Sequence, residues 1–142
     1  MQTSARNQYS CTITRIDQGA VNDEVELALP GGQALVAVIT RRSSEALALK
    51  PGMNAIALVK ASSVIVASDL EGVRFSARNS LQGTVHHVVA GAVNSEVVIN
   101  LPGGAQVVAI VTNDSAQRLG LAPGQAATAL IKASNVILGV TS

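Results

Sequence analysis

Ser4-Ala5-Arg6-Asn7, near the start of the chain, returns unchanged as Ser76-Ala77-Arg78-Asn79, and the residues downstream of it return as well. At a constant offset of 72 and with no gap, residues 4–70 align onto 76–142, and 31 of those 67 pairs are identical. The identities fall in blocks: Gly19-Ala20-Val21-Asn22 with Gly91-Ala92-Val93-Asn94, Leu29-Pro30-Gly31-Gly32 with Leu101-Pro102-Gly103-Gly104, and Lys60-Ala61-Ser62 with Lys132-Ala133-Ser134. One domain is written twice, and a repeat on this scale decides the architecture before any local pattern does. Each copy opens with an arginine and closes with a lysine, and neither cation has an acidic residue beside it. Two cations kept near the ends of a mostly apolar domain predict a place to hold an anion.

Composition sets the bounds on that reading. By length alone the chain is one domain, but the repeat divides it into units of roughly 70 residues, a size at which a single core is marginal. The halves are therefore expected to lean on each other or on further chains. A net charge of +1 calls for neither nucleic acid nor an acidic membrane. Charged residues make up 13% of the chain against 48% apolar, so much of the surface is uncharged, and oligomerisation is the economical explanation. Tyr9 and Phe75 are the only aromatics, which leaves Val, Ile, Leu and Ala to build the core. Cys11 stands alone, without a disulfide framework or thiolate set, and is expected as a small buried hydrophobe. Met1-Gln2-Thr3-Ser4-Ala5-Arg6 lacks the apolar core of a signal peptide, and no apolar run reaches spanning length. The expectation is a cytoplasmic protein with no membrane partner.

Residues 8–17 alternate, with Tyr9, Cys11 and Ile13 on one face and Ser10, Thr12 and Thr14 on the other, as in a half-buried strand. Gly19-Ala20-Val21-Asn22 reads as a turn or bulge. From Glu24 the alternation resumes, with Val25, Leu27 and Leu29 against Glu24, Glu26 and Ala28. Pro30-Gly31-Gly32 makes a hairpin connection. Residues 34–39 have no polar interruption, which predicts a strand covered on both faces. The period changes over 43–49, where Ser43 or Ser44 is expected to cap a short helix that ends before the Lys50-Pro51-Gly52 turn. Strands at 54–59 and 64–67 come next. The second half repeats the pattern at 80–89, 96–101, 105–112, helix 115–121, 125–132 and 135–140. Five short strands with a helix between the third and fourth predict an all-β fold with short helices: tandem OB-fold barrels, each a five-stranded Greek key. The expected divisions are 1–69, a connector at 70–75, and 76–142. The connector is too short for a free tether, so the domains should touch.

Ser4, Arg6, Thr40, Lys60 and Ser62 recur as Ser76, Arg78, Thr112, Lys132 and Ser134. Arginine supplies a planar fork matched to oxyanions and lysine a compact charge, while hydroxyls and turn amides add neutral donors. A set of donors alone suits a fully deprotonated tetrahedral dianion. Monohydrogen phosphate carries a proton that needs an acceptor, and an unmatched buried group costs about 1–3 kcal/mol. Molybdate, tungstate or sulfate is favoured over phosphate on that ground.

The run Ser-Ala-Arg-Asn, Gly-Ala-Val-Asn-x-Glu-Val, Leu-Pro-Gly-Gly, Thr, Lys-Ala-Ser-x-Val-Ile resembles the Mop domain of molybdate-binding proteins. Two such domains in tandem resemble the di-Mop molbindins found in nitrogen-fixing bacteria, over almost the whole chain. The resemblance implies an OB-fold, a homotrimer and molybdate (or tungstate) bound at subunit interfaces for storage and homeostasis. It also implies that Ser4, Arg6, Thr40, Lys60 and Ser62 line one site and Ser76, Arg78, Thr112, Lys132 and Ser134 its equivalent. Ala5, Ala61, Ala77 and Ala133 would contribute backbone N–H groups. A second type of site on the threefold axis is implied, with Val21, Asn22, Val93 and Asn94 as its candidates. Family members that are transcription regulators or transport ATPases carry extra domains, for which this chain is expected to have no room.

The remaining residues invite blander readings. His86-His87 align with Thr14-Arg15 and so are not a repeated element; neighbours on a strand point to opposite faces, which argues against their sharing one metal. No directly coordinated metal is expected. Glu24 and Glu96 recur beside apolar residues and read as exposed or as partners of a positive group. No nucleophile–base set accompanies them, so no enzyme is expected. An OB-fold that binds nucleic acid is the alternative function, but it needs stacking aromatics and a basic groove, and this sequence has neither.

Overall fold

A computed structural model describes residues 1–141. Ten strands and two helices run in order: β1 (Asn7–Gln18), β2 (Asn22–Ala28), β3 (Ala34–Thr40), α1 (Arg41–Ala46), β4 (Asn54–Val59), β5 (Val64–Ala67), β6 (Asn79–Ala90), β7 (Asn94–Asn100), β8 (Gln106–Thr112), α2 (Asn113–Arg118), β9 (Ala126–Ile131) and β10 (Val136–Gly139). One-turn 3₁₀ helices at Ala61–Ser63 and Ala133–Asn135 precede β5 and β10. The alternation read from the sequence holds in the first strand: Asn7, Tyr9, Cys11 and Ile13 are buried while the residues between them are exposed.

The strands form two curled five-stranded antiparallel sheets, ordered β10-β4-β1-β2-β3 and β5-β9-β6-β7-β8. Each sheet takes four strands from one copy of the repeat and its fifth from the other. β10 pairs with β4 through Val136↔Val59 to Gly139↔Ile56, and β5 pairs with β9 through Val64↔Ile131 to Ala67↔Thr128. The exchanged strands also pack against β3 and β8, curling each sheet towards closure. This is the tandem OB-type architecture with its last strands traded. The core is correspondingly shared: Ile13, Leu27, Leu35 and Val59 join Ile99, Val107 and Ile131 in one aliphatic cluster. The marginal core of a 70-residue unit is thereby doubled.

Two features join the copies at their edges. The Leu-Pro-Gly-Gly turns meet each other: a Cβ on Gly103 would stand 2.8 Å from the Gly31 Cα, and both glycines have φ near +100° (101° and 92°). Asn7 and Asn79, both 2% exposed, act as pieces of backbone. The Asn7 Oδ1 accepts from the Val108 amide at 2.7 Å and its Nδ2 donates to the Val108 carbonyl at 2.8 Å. Asn79 does the same to Val36, at 2.7 and 2.8 Å. β8 and β3 are the last strands of their sheets, so each carboxamide occupies a strand edge that would otherwise be unpaired.

Three local expectations change. The helices begin two residues early, because Thr40 and Thr112 are the N-caps, each accepting from the amide three residues on; Ser43 and Ser115 supply those amides. They end early because Ala48 (φ 52°) and Gly120 (φ 61°) enter the left-handed region just past the last turn. In β3, Leu35 and Ala37 are buried but Val36, Val38 and Ile39 only half-buried, since the second face is covered by Asn79 and the 133–135 turn rather than by a full layer.

Candidate functional site

Antiparallel pairing brings the two ends of each repeat together. β1 begins and β4 ends at the pair Asn7↔Val59, so Arg6 and Lys60 leave the ladder side by side. Asn79↔Ile131 does the same for Arg78 and Lys132. In the first copy Ser4, Ala5, Arg6, Lys60, Ala61 and Ser62 line one concavity of about 490 Å³. Lys60 is extended (φ −68°, ψ 132°) and the chain then turns into the 3₁₀ helix, whose opening amides, on Ala61 and Ser62, have no acceptor within the turn. The concavity therefore gathers a guanidinium, an ammonium, the hydroxyls of Thr3, Ser4 and Ser62 and the two turn amides, while the Ala5 amide donates to the Thr3 hydroxyl at 3.2 Å.

Its walls come from both copies. Ile110 belongs to β8, and Ile137 belongs to the exchanged β10, where it pairs with Leu58. Ile137 is 63% exposed, and its counterpart Ile65, paired with Leu130, is 65% exposed. An isoleucine left that open beside a polar pocket forms an apolar lip of the kind a further protein surface covers.

The carboxylates absent from the local sequence arrive through space. Arg6 Nη2 donates to Glu96 Oε1 at 2.5 Å, and Arg78 donates through Nη1 and Nη2 to Glu24 at 2.5 and 2.6 Å. Each pair crosses between copies, so Glu24 and Glu96 are partners of a positive group, and the set around each arginine is not purely one of donors. The Glu24 hydrogen bonds raise the Arg78 pKa above its already high value. The guanidiniums remain about half exposed (50% and 52%), where solvent screens an ion pair to little net stabilisation. Such a pair orients the fork without committing it. Lys60 and Lys132 form no ion pair among the described residues.

Thr40 and Thr112 are placed elsewhere. Each donates to a serine hydroxyl while capping its helix (Thr40 to Ser43 at 2.8 Å, Thr112 to Ser115 at 2.9 Å), and neither lines the concavity. Their ladder partners are Asn22 and Asn94. The carbonyls of Val21 and Val93 accept from Arg41 and Asn113 at 2.8 and 2.9 Å, fixing the same corner. The eighteen candidate residues thus separate into two kinds of place: Ser-Ala-Arg with Lys-Ala-Ser at one end of β1 or β6, and Val-Asn with Thr at the other. Val21 and Val93 project there, 73% and 71% exposed.

Strand periodicity alone does not single out Asn7 and Asn79, although exact repetition at an inward-facing position is a signal for them. It also assigns His86 and His87 to opposite faces, and here the structure differs. The β6–β7 register slips between Val85 and His87, leaving His86 as the extra residue of a bulge, and the two Nδ1 atoms lie 2.6 Å apart. Cys11 is buried as expected, and burial pushes its thiol up to about 11. No helix among the described residues is long and apolar enough to cross a membrane.

Known proteins share this arrangement. The TOBE domain model matches residues 3–66 and again 76–138. The molybdenum-pterin-binding protein MopA of Rhodobacter capsulatus is 49% identical over 140 residues, covering 99% of this chain and 53% of that protein. The molybdenum transport protein ModE of Herbaspirillum seropedicae is 47% identical over 140 residues, covering 99% and 52%. The chain spans about half the length of these curated relatives. Among solved structures, the cytoplasmic molybdate-binding protein ModG, crystallised with molybdate bound, matches with a TM-score of 0.96 at 48% identity, over 99% of this chain and 100% of that one.

Proposed function

The chain belongs to the TOBE-domain family as a tandem Mop-domain protein, and from that premise we propose that it binds molybdate, or its near-isostere tungstate, for storage and homeostasis inside the cell. The observation that carries the reading is the convergence of Ser4, Arg6, Lys60 and Ser62 on one concavity, in a chain similar throughout to a molybdate-binding protein. Arg6 offers two N–H groups in a plane, Lys60 a point charge, and the serines and turn amides fill the remaining tetrahedral directions. Ser76, Arg78, Lys132 and Ser134 form the equivalent set on the second copy. Glu96 and Glu24 hold the arginines in place while the site is empty, and the weak exposed pair yields to a dianion that brings two charges.

The site completes itself between subunits. The apolar lips at Ile65 and Ile137, with the projecting Val21 and Val93, suit burial against further copies of the chain, and the assembly we propose is a homotrimer. In it the Val-Asn corners, with Thr40 and Thr112 beside them, meet their counterparts around the symmetry axis and form the second type of site. Binding alone accounts for these donors, so no reaction is assigned.

Equilibrium dialysis against molybdate tests the reading. Replacing Arg6 and Arg78 together by alanine, or Lys60 and Lys132 together by methionine, removes charged hydrogen bonds of about 1.5–3 kcal/mol each. Affinity should fall by roughly tenfold to a hundredfold per ion, with the oligomer intact by native mass spectrometry. Unchanged stoichiometry and affinity in both double variants would refute the assignment.

A further inference from the structure

Both repeats carry a bulge in their first strand, outside the lining of the Arg6–Lys60 concavity: the register slips between Ile13 and Arg15 in β1 as it does between Val85 and His87 in β6. In the first copy the bulge presents Thr14, bonded to the Glu26 carbonyl at 3.1 Å, and Arg15, bonded to Asp17 at 3.0 Å. In the second it presents two imidazoles. Their rings stand nearly perpendicular (73°) with centroids 4.8 Å apart. His86 is exposed and His87 half-buried, and the β6–β9 ladder ends at Thr84, so no strand flanks them on that side.

We propose that His86 and His87 form a chelating site for a divalent transition metal of the Cu²⁺ class, bound through both Nδ1 atoms. With metal–nitrogen bonds of about 2.0–2.1 Å, two nitrogens at a right angle lie about 2.9 Å apart and two at the tetrahedral angle about 3.3 Å. The observed 2.6 Å is the separation of the hydrogen-bonded, metal-free pair and is shorter than either. Imidazole nitrogens suit Cu²⁺, Ni²⁺ and Zn²⁺, and of these Cu²⁺ binds nitrogen donors most tightly. Imidazole χ2 rotation is soft and supplies the remaining few tenths of an ångström. In the metal-free chain one Nδ1–H donates to the other Nδ1; on binding, that ring carries its proton on Nε2 instead, and both Nδ1 lone pairs face the metal. No third His, Cys, Asp or Glu joins the pair among the described residues, so water completes the coordination and the site stays open to exchange.

The experiment titrates the assembled protein with copper(II) chloride in a non-coordinating buffer and records the electron paramagnetic resonance spectrum at one equivalent. The comparison variants take the first copy's own residues at this bulge, His86→Thr and His87→Arg, singly and together, which the same backbone already accommodates. The expected spectrum shows two equatorial imidazole nitrogens, and each single variant loses at least about a hundredfold in affinity, because the second nitrogen otherwise binds intramolecularly. Undiminished copper affinity in the double variant, or a one-nitrogen spectrum in the parent, would overturn the site. Zn²⁺ binding as tightly as Cu²⁺ would overturn the preference for copper.

Discussion

Replacing Asn7 by alanine tests the joint between the two copies. Its carboxamide gives the Val108 amide an acceptor at 2.7 Å and the Val108 carbonyl a donor at 2.8 Å. Both groups lie on the outer edge of β8, beyond which the sheet has no further strand. The Tyr9 hydroxyl serves the same edge two residues along, donating to the Gln106 carbonyl at 2.7 Å. Without the carboxamide, two backbone groups lose their partners, at about 1–3 kcal/mol each when water cannot reach them. Val108 is half-buried, so water relieves part of that, and the same range gives a total near 2–4 kcal/mol. In a chain of this size each kcal/mol moves the midpoint by about 2–4 °C, giving a loss of roughly 5–15 °C. Thermal and urea unfolding monitored by circular dichroism, at one fixed protein concentration, reads the effect. Asn79→Ala should match it to within a factor of two, since Asn79 makes the same pair of bonds to Val36. Losses below about 0.5 kcal/mol in both variants would mean that the carboxamides are not holding the copies together, and the account of the joint would fall.

Other expectations are more local. Ala48 sits at φ 52° where the second copy has Gly120 at 61°, so Ala48→Gly should stabilise the protein by up to ~1 kcal/mol and Gly120→Ala destabilise it by a similar amount; the opposite signs in urea melts would contradict the strain. Gly103→Ala should cost more than Gly104→Ala, because both have positive φ but only Gly103 faces backbone within 3 Å, the Gly31 Cα at 2.8 Å; equal costs would mean that the two turns are not in contact. Cys11, held near 11 by burial, keeps its proton in the folded state after the unfolded chain has lost it. The folded state then binds more protons between about pH 9 and pH 11, so stability should fall as pH rises through that window, and less in Cys11→Ala; a flat profile would count against the burial.

The repeat, the strands and the hairpins were legible because apolar alternation and Pro-Gly turns are local signals. The exchange of β5 and β10 was not. Val64-Ile65-Val66 and Val136-Ile137-Leu138 share one buried–exposed–buried pattern with near-identical residues, so either sheet accepts either strand. Charge pairing was half legible: retention of Glu24 and Glu96 marks them as partners of cations, but that each reaches the other copy's arginine depends on how the copies dock. Thr40 groups with the cations in the sequence because it recurs with them. A threonine three residues before a serine is equally a helix cap, and the ladder pairing with Asn22 decides its place. The meeting of His86 and His87 rests on a one-residue register slip that strand periodicity does not show.

The central claim is that an arginine and a lysine from the two ends of each repeat converge on a tetrahedral dianion. Crystals grown with molybdate, measured at the molybdenum absorption edge, test it most directly. Anomalous peaks are expected between Arg6 and Lys60 and between Arg78 and Lys132, with serine hydroxyls in reach. Molybdenum density confined to places away from both cation pairs would contradict it.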